Sequence, residues 1–174
     1  MDHLWSPWRL YYVTSEKPPT GCVFCQPRTD SDPGADRDPL IVFEGSLAYI
    51  ILNRYPYNNG HLMVVPRRHL ATLVDLSIDE LHEVALLTQR SEAALREAYK
   101  LQGINVGINL GTSAGAGIQG HLHVHLVPRW FGDTNFMTVV GETRVLPEDL
   151  AASASRLAPI FERLAAEAKA SALR

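Results

Sequence analysis

Three histidines stand at alternate positions in the stretch Gly120-His121-Leu122-His123-Val124-His125-Leu126-Val127. Successive side chains of a β-strand point to opposite faces, so a strand here would direct all three imidazoles to one face and the apolar residues between them to the other. Imidazole titrates near neutral pH and can act as a nucleophile, a general acid or a general base. The pattern predicts a catalytic site, the alternative being a polar strand face without chemistry.

A second candidate for chemistry is the cysteine pair Cys22 and Cys25. The Cys-x-x-Cys spacing suits a metal or redox pair better than a long-range structural disulfide. With two further ligands it would form a closed, four-coordinate zinc site, which is structural rather than catalytic. Two ordinary reduced thiols are the alternative. A thioredoxin-type dithiol is disfavoured because the pair does not lie at a strand-to-helix turn.

The size and charge of the chain exclude several classes of protein. Its 174 residues are enough for one domain with a substantial core. The net charge of −3 gives no positive field for bulk binding to nucleic acid or to an anionic membrane. No apolar run approaches the roughly 20 residues that span a bilayer, and the first residues do not resemble a signal peptide. We expect a cytoplasmic protein.

The first half of the chain predicts three strands. Residues 40–43 and 47–52 are rich in β-branched and aromatic residues and flank a Glu44-Gly45-Ser46 turn, which predicts a hairpin. Residues 61–66 form the third predicted strand, which Pro66 ends. The polar, proline-rich stretch 29–39 predicts an exposed loop before them.

The second half predicts two helices and two more strands. Ser77 and Glu80 form a capping box, and apolar residues from Ile78 and Leu81 onward recur at helical spacing until about residue 100, with Gly103 ending the helix. Strands follow over 104–109 and 121–127, and a second helix opens at Pro147. These elements predict an α+β domain with a mainly antiparallel, five-stranded sheet. We divide the chain into an extension (1–39), a core (40–146) and a C-terminal helix (147–174).

The loop over residues 111–120 contains four glycines just before the histidine stretch. Glycine allows the backbone of Gly115, Ala116 and Gly117 to approach phosphate oxygens and to present N–H donors. It is not a P-loop, because no Gly-Lys-Ser/Thr follows. A flexible connection between strands is the alternative.

Two motifs resemble those of the histidine triad (HIT) superfamily. Residues 121–127 match its His-x-His-x-His-x-x motif, and residues 60–69 resemble its second motif, a Gly-His followed by an apolar strand, a proline and a basic pair ending in His69. Together with Asn53 and residues 109–111, the resemblance covers roughly residues 22–130. Stretches 4–9, 111–117 and 128–136 are similar to the branch that contains diadenosine tetraphosphate phosphorylases and related nucleotidyl hydrolases.

The resemblance implies a HIT-like fold, a homodimer whose sheets join into one, and nucleotidyl transfer. It assigns the catalytic residues to the triad His121, His123 and His125, with His123 attacking the α-phosphorus of a purine nucleotide and His125 contacting the phosphate beside it. The substrate implied is a dinucleoside polyphosphate; phosphorolysis of diadenosine tetraphosphate would yield ADP and ATP. The acceptor, phosphate or water, is left open, as is the preference for adenine or guanine.

The resemblance also implies binding residues. Asn53 would hydrogen-bond the ribose hydroxyls, although a turn-capping role explains it nearly as well. The remaining nucleotide contacts implied are His61, Asn109, Gly115, Ala116, Gly117 and Gln119. Gln119 departs from the usual Gly-Gln pair, since the sequence here is Gly117-Ile118-Gln119-Gly120. His69 and His121 would join Cys22 and Cys25 as ligands of a structural zinc ion, and the histidine chemistry itself requires no cofactor.

Other functions remain open at this point. Within the enzyme class, the chain could hydrolyse a nucleoside phosphoramidate or an aminoacyl adenylate. Outside it, the chain could be a zinc-stabilised protein that binds purine nucleotides without turning them over.

Overall fold

Five antiparallel strands form the sheet of this protein, in the order β1-β2-β3-β5-β4. The structure, a computed structural model, describes residues 21–25, 38–133 and 147–172. The strands are β1 (Ile41–Glu44), β2 (Ala48–Leu52), β3 (Leu62–Pro66), β4 (Gly103–Ile108) and β5 (Val124–Arg129). The predicted α+β class and antiparallel five-stranded sheet are confirmed. The motif stretch 4–9 and residues 134–136 lie outside the described residues.

The predicted β1–β2 hairpin is confirmed and is fastened to the long helix. The main-chain N–H groups of Ser46 and Leu47 donate to the carboxylate of Glu83 at 2.6 and 2.7 Å. A Cβ on the preceding Gly45 would overlap that carboxylate. Glycine therefore allows the turn to approach the helix closely.

The long helix, α1, spans Ile78–Tyr99 and begins at the predicted capping box. The Ser77 hydroxyl accepts the Glu80 N–H at 3.2 Å, and the Glu80 carboxylate accepts the Ser77 N–H at 2.7 Å. The two bonds satisfy main-chain donors that the first turn of a helix leaves without partners.

The predicted extent of α1, to about residue 100, is confirmed, but Gly103 does not end the helix. Its C-cap is Lys100, which adopts a left-handed conformation with φ of 46°. Its N–H donates to the carbonyl of Arg96 at 3.1 Å and closes the last turn, so no glycine is needed. Gly103 is instead the first residue of β4.

The buried face of α1 is rotated relative to the predicted stripe. Ile78 and Leu81, which belong to the apolar stripe in the sequence, are 79% and 45% exposed. The buried positions recur at intervals of three or four residues up to the adjacent pair at the end: Glu80, Val84, Leu87, Ser91, Ala94 and Leu95. Glu80 lies on the buried face, where its carboxylate accepts two bonds from Arg68, at 2.9 and 2.7 Å.

The second helix, α2, spans Leu150–Ala172 and so begins after Pro147 rather than at it. Its Leu157 and Phe161 are fully buried, and Phe161 packs on Phe43 of β1 with ring centroids 5.9 Å apart. α2 also contacts α1. Neither helix of the described chain is long and apolar enough to cross a membrane.

Strand β5 shows how the sheet presents the candidate site. Alternate residues Val124, Leu126 and Pro128 are buried. Strand β5 also contacts α1, which packs on the sheet. Between them, His125 and Val127 are half-buried and Arg129 is exposed. This second set therefore lies on the open face of the sheet.

Candidate active site and metal centre

The histidine segment enters the sheet later than predicted. Regular pairing begins at Val124 and continues to Arg129, so the predicted strand over 121–127 is wrong at both ends. Before Val124, the Leu122 N–H donates to the Leu70 carbonyl at 2.7 Å. This bond joins the segment to the chain that follows β3, and it precedes the paired part of β5.

His123 is held with a defined proton position. Its Nδ1 lies 2.8 Å from the main-chain oxygen of His121. A carbonyl only accepts, so Nδ1 carries the proton and Nε2 keeps the lone pair. Burial lowers the pKa of His123, and the bond to the carbonyl opposes that effect only in part. The ring is therefore a neutral imidazole at neutral pH, with Nε2 able to act as a nucleophile.

A second pair of histidines lies beside it. The rings of His123 and His125 are 4.7 Å apart, and His125 Nδ1 is 3.0 Å from His61 Nε2. The main-chain N–H of Tyr57 donates to His61 Nδ1 at 3.1 Å, so the neutral His61 ring carries its proton on Nε2 and donates it to His125 Nδ1. The neutral His125 ring must then carry its own proton on Nε2. Main-chain geometry thus makes His125 a donor at Nε2 beside a nucleophile.

Asn53, predicted to bind ribose, is engaged locally in this structure. Its Oδ1 accepts the Tyr55 N–H at 2.9 Å, and its Nδ2 lies 3.3 Å from His61 Nδ1. The first bond is the turn-capping role that the sequence left open. The second adds another donor to the same nitrogen of His61.

Cys22, Cys25, His69 and His121 come together in one cluster. Their candidate ligand atoms all lie within 4.8 Å of one another. Cys22 Sγ is 3.2 Å from His121 Nδ1, and Cys25 Sγ is 3.4 Å from His69 Nδ1. The sequence separates these partners widely, and the fold brings them to one place.

The chemistry of this cluster fits a tetrahedral metal ion. Zinc–sulfur and zinc–nitrogen bond lengths imply ligand atoms about 3.3–3.8 Å apart, close to the separations above. His121 Nε2 lies 2.8 Å from the Pro66 carbonyl, which can only accept a hydrogen bond, so the ring proton is on Nε2. The lone pair of Nδ1 is then available to a metal ion on the side of the cysteines. Burial also lowers the pKa of His121, which favours the neutral ring that binds a metal.

Phe24, between the two cysteines, connects the cluster to the histidines. It is 4% exposed, and its ring centroid lies 5.5 Å from that of His121 and 5.0 Å from that of His123. The buried Tyr49 hydroxyl donates to its carbonyl at 2.7 Å. The cysteine segment thus places an aromatic ring against the nucleophile candidate.

The predicted phosphate loop forms a short 3₁₀ helix over Thr112–Ala114. Gly115 has φ of 81°, and its N–H donates to the Thr112 carbonyl at 3.0 Å; Ala116 is buried and its N–H lies 3.4 Å from the Gly111 carbonyl. Gly117 and Gln119 are exposed. The contacts of these residues with phosphate stay a prediction.

A groove of about 380 Å³ opens beside His125 on the exposed face of the sheet. Asn109, a predicted nucleotide contact, lines this groove together with His125. Its lining also includes Tyr57, Asn105, Gly107, Val127 and Arg129.

Sequence reasoning missed Phe24, Tyr57 and Arg129. Phe24 had a usable signal, because it lies inside the Cys-x-x-Cys segment. Tyr57 acts through its main-chain N–H and a ring 4.9 Å from His61, neither of which a residue pattern reveals.

Comparison with known proteins agrees with these motifs. A model of the HIT domain matches residues 36–132. The AP-4-A phosphorylase of Mycobacterium tuberculosis (strain H37Rv) is 42% identical over 152 residues, which cover 85% of this chain and 78% of the relative. The bis(5'-adenosyl)-triphosphatase of Dictyostelium discoideum is 31% identical over 93 residues, 53% of this chain and 62% of the relative.

Solved structures show the same fold. A Zn-bound histidine triad family protein from Mycobacterium smegmatis has a TM-score of 0.65 and 27% identity, covering 84% of this chain and 96% of the other. A hypothetical histidine triad nucleotide-binding protein from Sulfolobus tokodaii has a TM-score of 0.65 and 28% identity, covering 82% and 93%.

Proposed function

The chain belongs to the HIT family, and on that premise we propose that it cleaves dinucleoside polyphosphates by transferring a nucleotidyl group to His123. The proposal names diadenosine tetraphosphate as substrate and inorganic phosphate as acceptor, which gives ADP and ATP. The names of the mycobacterial phosphorylase and the Dictyostelium triphosphatase support this substrate class.

The observation that carries the proposal is the proton position on His123. Its Nδ1–H is committed to the His121 carbonyl, so Nε2 is the unprotonated nitrogen. Nucleophilic catalysis by a weak nucleophile needs this arrangement, with a neighbouring group that orients the ring. An inert polar strand would not require it.

In the first step, His123 Nε2 attacks the α-phosphorus and the bond from phosphorus to the leaving nucleotide's oxygen breaks. The histidine keeps its Nδ1–H, and the positive charge that develops on its ring is stabilised by the carbonyl of His121. His125 donates from Nε2 to the phosphate beside it, which offsets negative charge in the transition state. In the second step a phosphate oxygen attacks the same phosphorus and releases His123. Two in-line displacements give net retention at phosphorus.

The nucleotide contacts rest on the family resemblance. We assign Asn53 and His61 to the nucleoside side, Asn109 to the phosphate or ribose, and the loop residues Gly115, Ala116, Gly117 and Gln119 to the phosphates. Asn53 lies beside His61, His61 contacts His125, and Asn109 lines the groove that opens beside His125, which supports one continuous site. The catalytic unit is the core (40–146), flanked by the extension (1–39) and the C-terminal helix (147–174).

We assign zinc to the cluster of Cys22, Cys25, His69 and His121. A closed site with four protein ligands holds the fold together and leaves no position for substrate. Its role is to tie the cysteine segment to the chain that carries His123. The cysteines must be reduced to bind zinc, which is consistent with a cytoplasmic protein.

A homodimer that joins two sheets would use β4. This strand lies at the end of the sheet order, and its Val106 is 53% exposed. Edge strands present unpaired main-chain groups that a second strand can satisfy.

The decisive experiment is intact-mass spectrometry of protein quenched while it turns over diadenosine tetraphosphate with phosphate. We expect an adenylyl adduct on the wild-type protein that is absent from His123→Ala, together with labelled phosphate in the ADP product. His82→Ala is the control, since His82 is an exposed histidine on α1. Substrate left intact by the wild type, with saturable AMP binding, would instead indicate a nucleotide-binding protein without this activity.

A further inference from the structure

The groove beside His125 runs along β5 toward Arg129. His125, Val127 and Arg129 lie on the open face of this strand, and their partners across β4 are Gly107, Asn105 and Gly103. At about 3.3 Å per residue, Arg129 lies roughly 13 Å from His125 along the strand. The groove therefore extends well beyond the reacting phosphorus.

Two features keep the floor of the groove, which β4 and β5 form, open to a ligand. Gly107, opposite His125, has no side chain, and a Cβ built on it would meet nothing within 4 Å. The next floor residue is Val127, which is half-buried and apolar. A ligand can lie across this part of the sheet without displacing a side chain.

The far end presents a planar cation in a fixed position. Arg129 donates to the two oxygens of Asp133 at 2.6 and 2.7 Å and to Asn105 Oδ1 at 3.0 Å. The carboxylate balances the charge of the guanidinium, so this end suits a neutral, planar group better than a phosphate. Within the described chain, Asn105 Nδ2 remains as a donor beside it.

Asp133, which accepts the hydrogen bonds of Arg129, also holds the other side of the groove. Asn58 donates from Nδ2 to Asp133 at 3.0 Å and to the Pro128 carbonyl at 3.1 Å. These bonds fasten the turn that carries Tyr57 to the end of β5. The groove is thus preorganised by hydrogen bonds between its two walls.

We propose that this groove binds the leaving half of the substrate, with the second nucleoside at Arg129 and Asn105 and its phosphates passing over Gly107 and Val127. The proposal rests on the proposed function. A guanidinium face stacks well on an aromatic base, and an amide donor can bond a ribose hydroxyl or a base edge. In-plane pairing of β4 with a second chain leaves the groove open, because side chains stand perpendicular to a sheet.

The test compares two substrates that share adenosine and the α-phosphorus. Diadenosine tetraphosphate carries a second nucleoside, whereas adenosine 5′-phosphoramidate loses only ammonia and does not reach the groove. The measured quantity is kcat/KM for diadenosine tetraphosphate divided by kcat/KM for the phosphoramidate. We expect Arg129→Leu to lower this ratio about ten-fold, the size of one lost stacking or hydrogen-bonded contact. Val127→Phe, whose larger side chain fills the groove, should lower it to a similar extent. Arg96→Leu is the control, since Arg96 pairs with Glu92 on the surface of α1.

A binding measurement makes the test independent of turnover. On His123→Ala protein, calorimetry gives the ratio of the affinities for diadenosine tetraphosphate and AMP, which we expect Arg129→Leu to lower about ten-fold. An unchanged ratio, or an equal loss for both substrates or both ligands, overturns the groove assignment. A wild-type protein that cleaves neither substrate contradicts the proposed function, while the binding ratio still decides the groove.

Discussion

The main-chain oxygen of His121 accepts the Nδ1–H of His123 at 2.8 Å. The side chain of the same His121 lies 3.2 Å from the sulfur of Cys22. One residue therefore belongs to the metal-ligand cluster through its ring and to the nucleophile candidate through its backbone.

Removal of one metal ligand should destabilise the protein before it affects the chemistry. In Cys25→Ser the cluster loses a thiolate, and we expect zinc to be released and the thermal midpoint to fall by about 5 °C or more. Zinc analysis and a melting curve check this, with Cys22→Ser expected to behave alike and His82→Ala expected to match the wild type. A cysteine variant with normal zinc content and midpoint would contradict the metal assignment.

Phe24 should affect the reaction without removing the metal. Phe24→Leu keeps an apolar side chain between the cysteines but loses the flat ring that packs on His123. The imidazole of His123 should then be held less firmly in its orientation. We expect kcat to fall about ten-fold, because small misplacement of a reacting group is costly. Steady-state kinetics and zinc content are measured together. A normal kcat at full zinc content would show that the contact only fills space.

The histidine tautomers can be observed directly. Nitrogen-15 NMR at neutral pH should place the proton on Nδ1 of His123 and on Nε2 of His61 and His125. Replacing His61 with Leu removes the donor that fixes His125, and we expect kcat to fall about 10²-fold, the size of one acid–base contribution. A proton on Nδ1 of His125 in the wild type would be inconsistent with the assigned pair.

Glu80 should contribute to stability in a defined pH range. The hydrogen bonds from Arg68 lower the pKa of Glu80 to about 2, from 4.5. Because the folded pKa is the lower one, this stability is present above about pH 4.5 and is lost as the pH falls toward 2.

We expect Glu80→Gln, which keeps the capping box, to lose about 2 kcal/mol at neutral pH, an amount reduced from the full linkage value because Arg68 is partly exposed. Urea unfolding between pH 2 and 7 measures it, and the difference from wild type should shrink at acid pH. Glu92→Gln, at an exposed ion pair, is the control. A difference that stays constant with pH would exclude the charge as its cause.

A substitution on β4 should prevent formation of the proposed dimer without unfolding the protein. Val106→Asp puts a charge on the exposed edge strand, and we expect sedimentation to show a monomer where the wild type is a dimer. Val74→Asp is the control, because Val74 is 91% exposed and belongs to the short 3₁₀ helix Leu73–Asp75 rather than to β4. A wild-type protein that sediments as a monomer would contradict the dimer itself.

Much of the fold followed from local sequence signals. The capping box at Ser77 and the hairpin around Gly45 were predictable because each depends on a few neighbouring residues. The residue that caps the end of α1 was not, since Lys100 adopts a left-handed conformation that a glycine usually supplies. The burial of the charged Glu80 was not predictable either, since its partner Arg68 lies outside the helix.

The candidate site also combines features that the sequence predicts with features that depend on the fold. The three alternating histidines and the cysteine pair were visible in the chain. The distinction between His123 as nucleophile candidate and His121 as candidate metal ligand requires the carbonyl of His121 and the position of Pro66. The groove depends on Arg129, Asp133 and Asn58 meeting across separate segments. Contacts of this kind leave no periodic pattern in a sequence.

The N–H of Tyr57 belongs to the main chain, yet it determines which nitrogen of His61 is protonated. No side-chain replacement removes that group except proline. Alanine scanning of this turn would therefore measure only the effect of the Tyr57 ring. It would overlook the peptide N–H that fixes the proton positions of His61 and His125.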